Sequence, residues 1–138
     1  MSVLFEDYSK DVIDKINKLG VSWLEEASSV IQSQTQKNTK VKTGRTKGSW
    51  EHEVDGYKLE ARVGSRYNNA LWEELGTGIY ALNGDGRKTP WVYKDANGTW
   101  HKTRGKKPRR AFYKAYNSKK NVVIRSAQER FKNLWKIY

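Results

Sequence analysis

The feature that most constrains this chain is an apolar stripe near its start. Val12, Ile13, Ile16, Leu19, Trp23, Leu24, Ala27, Val30 and Ile31 recur at steps of three, four and one, which is the spacing of one helix face. Lys10, Asp11, Asp14, Lys15, Asn17, Lys18, Glu25, Glu26 and Gln32 occupy the other faces. The pattern predicts one long helix from Tyr8 to Gln36, with its stripe packed on a sheet. Gly20 falls inside it, either as a weak point costing about 1 kcal/mol against Ala or as a site of close packing.

The chain then changes character. Residues 37–49 are polar and basic, carry Gly44 and Gly48, and contain no acidic residue, so an irregular basic segment is expected. Trp50 to Val54 alternates apolar and charged residues, as do Tyr57, Leu59, Ala61 and Val63 beyond Asp55-Gly56. Alternation around Asp-Gly predicts a hairpin with one apolar and one charged face. After Gly64 a short helix is expected, capped by Ser65 or Asn68 and stopped at Gly76. Residues 79–90, with Asn83-Gly84-Asp85-Gly86 and Pro90, read as an exposed excursion. Trp91-Val92-Tyr93 and Thr99-Trp100-His101 flank Asp95-Ala96-Asn97-Gly98 and predict a second hairpin. A second basic segment, 102–110, follows. Two apolar stripes then predict helical structure, Ala111 to Tyr116 and Val122 to Trp135, with an interruption or cap at Asn117-Ser118.

Helix, hairpin, short helix, hairpin, helix is an α+β order: an antiparallel sheet of hairpins packed against long N-terminal and C-terminal helices. The 138 residues form a single expected domain, 1–138. The sequence shows no internal repeat or linker.

Composition removes several chemistries. There is no cysteine, so disulfides, thiolate metal sites and cysteine nucleophiles are excluded. His52 and His101 stand alone in expected strands, without the spacing of a zinc site. The glycine runs lack the Lys-Ser/Thr that opens a phosphate-binding helix, and NGDG lacks the bidentate Glu of a calcium loop. Adjacent Glu73 and Glu74 point in different directions on a helix, which favours a salt bridge to the basic segments or a subunit contact over acid/base work. The expectation is a non-enzyme with no cofactor. No stretch reaches the roughly 18 apolar residues of a membrane span, and the first twelve residues carry no secretory pattern.

Charge and aromatics point to binding. Lys and Arg exceed Asp and Glu by 27 to 15, a net charge of +12. That favours acidic partners, nucleic acid included, or serves solubility and salt bridges to acidic subunits. Six Trp and eight Tyr suit an interface or base stacking. Two alternatives stay open on these grounds. One is a basic nucleic-acid-binding module. The other is a small toxin-type ribonuclease assembled from His101, Lys102, Arg104 and Tyr113.

Three segments carry a family resemblance: VKTGRTKGSW at 41–50, VGSRYNNALWEELGTG at 63–78 and GKKPRRAFYKAYNSKKNVV at 105–123. In that order they resemble the head–tail connector and tail-completion proteins of long-tailed phages and prophages, labelled "minor capsid" or "tail component". The likeness spans about 38–125. It departs at Leu75, where an aromatic is common, at Arg110, and in the unmatched excursion 79–104. The resemblance implies a structural virion protein at the head–tail junction, assembled in the bacterial host cytoplasm. It implies a subunit of a ring, commonly six-fold, between adaptor or portal and tail-tube proteins around the DNA path. No catalytic residues are carried over, and no membrane is involved.

On that reading Trp91, Tyr93 and Trp100, with Glu73 and Glu74, are candidate subunit-interface residues. Lys40, Lys42, Arg45, Lys47, Arg104, Lys106, Lys107, Arg109 and Arg110 form a candidate basic patch, facing acidic neighbours or DNA in the channel. Loops 38–48 and 79–90 would order on assembly and leave the isolated chain monomeric.

Overall fold

A computed structural model of the chain describes residues 6–40 and 44–134. The fold is α+β, with long helices at both ends and two antiparallel hairpins between them. Helix α1 runs Ser9–Asn38, two residues beyond the expected end. Asp11 in its first turn and Lys37 in its last complement the helix dipole. Its buried residues are Gly20, Ala27, Ser28 and Thr35, all small, which lets neighbouring elements approach closely. Gly20 is the close-packing site: a methyl group there would sit 3.5 Å from Leu59 Cδ2. Ser28 and Thr35 return their hydroxyl protons to the carbonyls of Leu24 (2.6 Å) and Ile31 (2.8 Å), so burying them leaves no orphan donor.

Helix α4, Ala111–Leu134, lies antiparallel along α1. Asn38 Nδ2 donates to Ala111 O at 3.1 Å, Trp23 Nε1 to Val123 O at 2.8 Å, and Arg130 reaches Ser22 and Glu26. The expected break at Asn117-Ser118 does not occur. Ser118 Oγ donates to Ala115 O at 3.0 Å and the helix continues. Trp135 lies outside the described residues.

The segment expected to be irregular contains a one-turn helix, α2, at Arg45–Gly48. Strand β1, Trp50–Asp55, pairs with β2, Glu60–Ser65, in the register Trp50↔Ser65 to Asp55↔Glu60. The turn is therefore longer than Asp-Gly alone. Asp55 Oδ1 accepts the amides of Tyr57 (2.9 Å) and Lys58 (3.1 Å), and Leu59 adopts φ 53°. Tyr57 leaves the strand pattern for solvent, while Leu59 turns back onto Gly20. This hairpin packs on α1.

Helix α3, Asn68–Leu75, stops at Gly76 as expected. Neither Ser65 nor Asn68 caps it; Ser65 Oγ instead accepts the Tyr67 amide at 3.1 Å. A short 3-10 turn follows at Gly78–Tyr80. Strands β3, Trp91–Lys94, and β4, Trp100–Thr103, form a second, separate two-stranded sheet. It is not bedded on the helices as the first hairpin is. Most of its residues are exposed. No helix of the described residues is long and apolar enough to cross a membrane.

Candidate assembly surface

Trp50 is the organising residue. It is 7% exposed, stacks on Phe112 with ring centroids 6.0 Å apart, and its Nε1 donates to Thr39 Oγ1 at 3.0 Å. Its carbonyl accepts Gln32 Nε2 at 3.0 Å. One side chain thus ties the end of α1, the start of β1 and the start of α4 together.

The Glu73-Glu74 pair sits beside it, and each carboxylate is used within the chain. Glu74 accepts the amides of Phe112 (2.9 Å) and Tyr113 (3.0 Å). It therefore caps α4 from another helix, satisfying amides that have no partner within α4 and placing negative charge at the positive end. Glu73 holds Lys106 Nζ at 2.7 Å, and its carbonyl accepts the Arg109 amide at 2.7 Å. The salt bridge to a basic segment expected from sequence is present. Both carboxylates are half-buried.

Between α3 and α4 two loop segments cross at their glycines. Thr77 N donates to Lys106 O (2.9 Å), Lys106 N to Thr77 Oγ1 (2.9 Å) and Ile79 N to Arg104 O (3.1 Å). A Cβ on Gly78 would overlap the Arg104 carbonyl, and one on Gly105 the Thr77 carbonyl. Both glycines also hold positive φ, 60° and 135°, so the crossing excludes side chains at both points. Asn69 Nδ2 meets Thr46 Oγ1 at 2.9 Å, and Ser65 Oγ meets Ser49 Oγ at 2.6 Å. The three segments quoted above for their resemblance thus meet in one corner. A small cavity there is lined by Lys40 and Thr46 from one basic segment and Arg109 from the other.

The candidate basic patch is divided. Lys40, Arg45, Lys47, Arg104 and Lys107 are exposed. Arg45 lies 4.7 Å from the Tyr67 ring centroid and Lys107 5.8 Å from that of Tyr80. Lys106 is engaged by Glu73, and Arg109 is half-buried. Arg110 sits at φ 57° with its guanidinium 3.7 Å from the Tyr113 ring centroid, its Nε buried without a hydrogen-bond partner. Lys42 lies outside the described residues.

The β3–β4 ribbon carries the candidate aromatics on two faces. The register Trp91↔Thr103, Val92↔Lys102, Tyr93↔His101 and Lys94↔Trp100 puts Trp91, Tyr93, His101 and Thr103 on one side. Val92, Lys94, Trp100 and Lys102 take the other. Trp91 is half-buried beneath Arg87, whose guanidinium carbon is 5.7 Å from its ring. Tyr93 stacks on His101 at 5.2 Å. His101 Nε2 is 2.7 Å from Asp95 Oδ2, and Asp95 Oδ1 accepts the amides of Asn97 and Thr99 at 2.9 Å each. The hydrogen bond from His101, then that from Thr99, holds the Asp95 carboxyl below its ordinary 3.8. Trp100 is 66% exposed and Val92 61%.

Of the set His101, Lys102, Arg104 and Tyr113, the described contacts hold His101 within its own hairpin and Tyr113 under Arg110. They do not join these residues into one site. Sequence reasoning missed Trp50, Phe112 and the glycine crossing as organising residues. The Gly-Ser-Trp and Gly-Thr-Gly runs were the available signal. It also missed the exposed Leu71, Trp72, Ile79, Tyr80 and Leu82, because an apolar residue in a helix or loop reads as core until its neighbours are known. No protein-family model, no curated protein and no solved structure matches the chain.

Proposed function

We propose that this chain is a structural subunit of a phage or prophage head–tail junction, a ring component joining the DNA-filled head to the tail. The observation that carries the reading is surface. Among the described residues, Leu71, Trp72, Ile79, Tyr80, Leu82 and Trp100 are large apolar side chains that stand exposed. Exposed apolar side chains of this size are what a contact with neighbouring subunits would cover. The convergence of the three resemblance-bearing segments on the Trp50 corner supports the same reading, because it gives them one shared structural role. The proposal includes no catalysis, no cofactor and no membrane.

The test is genetic and microscopic. Deleting the gene from its phage or prophage is expected to yield filled heads and separate tails, and peptides of the chain are expected in purified wild-type particles. Normal joined particles from the deletion would overturn the reading.

A second reading, a basic nucleic-acid-binding module, is favoured by charge distribution. Sixteen of the 27 Lys and Arg residues follow Asp85, against two acidic residues, Asp95 and Glu129. Binding of duplex DNA that persists at physiological salt would support it, since phosphate contacts fade steeply as salt rises.

A further inference from the structure

We infer that the β3–β4 ribbon of one copy docks on the outer face of the β1–β2 hairpin of the next copy. The inference deepens the ring reading and names the contact that would build the ring. Closure into a ring rests on that reading; the docking itself does not.

The ribbon is a poor free-standing element. A two-stranded hairpin is marginal on its own in water, and this one is not bedded on a helix. Its face of Val92, Lys94, Trp100 and Lys102 is exposed, combining two large apolar groups with two ammonium groups and no carboxylate. The surface that completes it must offer both apolar cover and negative charge.

The same chain carries such a surface on its other hairpin. Glu51, Glu53, Asp55 and Glu60 are all exposed, and four acidic residues within ten positions are unusual in a chain of this charge. Two concavities, of about 470 and 360 Å³, flank this face. The larger is lined by Glu53, Asp55, Glu60 and Tyr57, with Lys58 and Arg62. Arg62 already lies 3.9 Å from Glu60, and Tyr57 is fully exposed. Tyr57 offers apolar cover for Trp100, and Glu53, Asp55 and Glu60 offer charge for Lys94 and Lys102. Six-residue strands span roughly 20 Å and four-residue strands roughly 13 Å, so the ribbon fits within the face it would cover.

A second copy suits the ribbon better than nucleic acid does. Phosphates would match its lysines but leave Val92 in water. Donor and acceptor hairpins are different patches of one chain, so the contact is heterologous and propagates to a ring or a filament.

The chain has no cysteine, which makes disulfide trapping clean. A chain carrying both Asp55→Cys and Lys102→Cys is expected to give an oxidised ladder of oligomers. This holds in concentrated purified protein and in particles. A mixture of the two single variants is expected to stop at dimers. Lys94→Glu with Lys102→Glu is expected to weaken self-association by at least about tenfold. Adding Glu53→Lys with Glu60→Lys to that chain restores it, with circular dichroism checking that each variant is folded. Particles that contain the doubly substituted chain yet form no inter-copy disulfide would sink the docking and spare the junction reading. A ladder from a chain that particles lack would do the reverse. Unchanged self-association after both lysine reversals, with loss of duplex DNA binding instead, would assign the ribbon to nucleic acid and overturn the inference.

Discussion

At the scale of single residues, a side chain's role here depends on which backbone it finds. Glu74 is an ordinary helix-surface glutamate by sequence, yet it accepts two amides of a helix 38 residues away. Glu74→Ala is expected to destabilise the fold by about 1–2 kcal/mol, the scale of losing a helix cap. Glu74→Gln should cost less, because one acceptor remains while the charge is lost; urea unfolding at constant m-value checks both. Asp95 gives a pH signature. Its carboxyl is held below 3.8 in the folded hairpin, so its contribution is fully present above that value and fades as pH falls through the folded pKa. The protection of the Asn97 and Thr99 amides, relative to intrinsic exchange at the same pH, is expected to fall on acidification below about pH 4, where Asp ordinarily titrates. Asp95→Ala should remove that acid dependence and leave both amides unprotected at neutral pH.

Among elements, the glycine crossing explains why two distant loops share a requirement. Gly78 and Gly105 each press against the other's strand of loop at positive φ. Either Gly→Ala change is expected to cost at least about 2 kcal/mol through strain and overlap. The double variant should cost less than the sum, since both relieve the same contact. Two tryptophans give a sharper contrast. Trp50→Ala removes a buried ring that joins α1, β1 and α4 and is expected to cost about 3–5 kcal/mol. Trp100→Ala should leave unfolding within about 0.5 kcal/mol, as an exposed position does, while weakening association between copies. Equal effects at the two positions would contradict the division between core and surface drawn here.

For the whole molecule, the balance between core and surface is the informative quantity. The buried apolar residues among those described are Ala27, Trp50, Ala70, Ala115 and Leu134, few and mostly small. Aromatics that composition alone could assign to core or interface divide clearly, with Trp50 inside and Trp72, Tyr57 and Trp100 outside. Positive charge gathers in the second half of the chain while Glu51, Glu53, Asp55 and Glu60 gather on the first hairpin. In the proposed docking, that separation would supply local attraction between copies of a chain with net charge +12.

The sequence by itself determined the elements. Periodicity of 3.6 and 2, Asp-Gly and Asn-Gly turns, and Gly76 as a stop located both long helices and both hairpins, because these are local backbone preferences written in neighbouring residues. The α+β class followed from their order. The errors were local too: Tyr57 alternates correctly for a strand, but Asp55 holds its amide in a turn. Asn117-Ser118 reads as a break, but a hydroxyl bonded to the preceding turn is tolerated in a packed helix. Only the tertiary structure decided which hairpin is bedded on a helix and which stands out, which lysines are engaged internally, and where the resemblance-bearing segments meet. Those outcomes depend on groups 16 to 73 positions apart, such as Ser49 with Ser65, Glu73 with Lys106 and Asn38 with Ala111. No pattern within a helix or a strand encodes such distances.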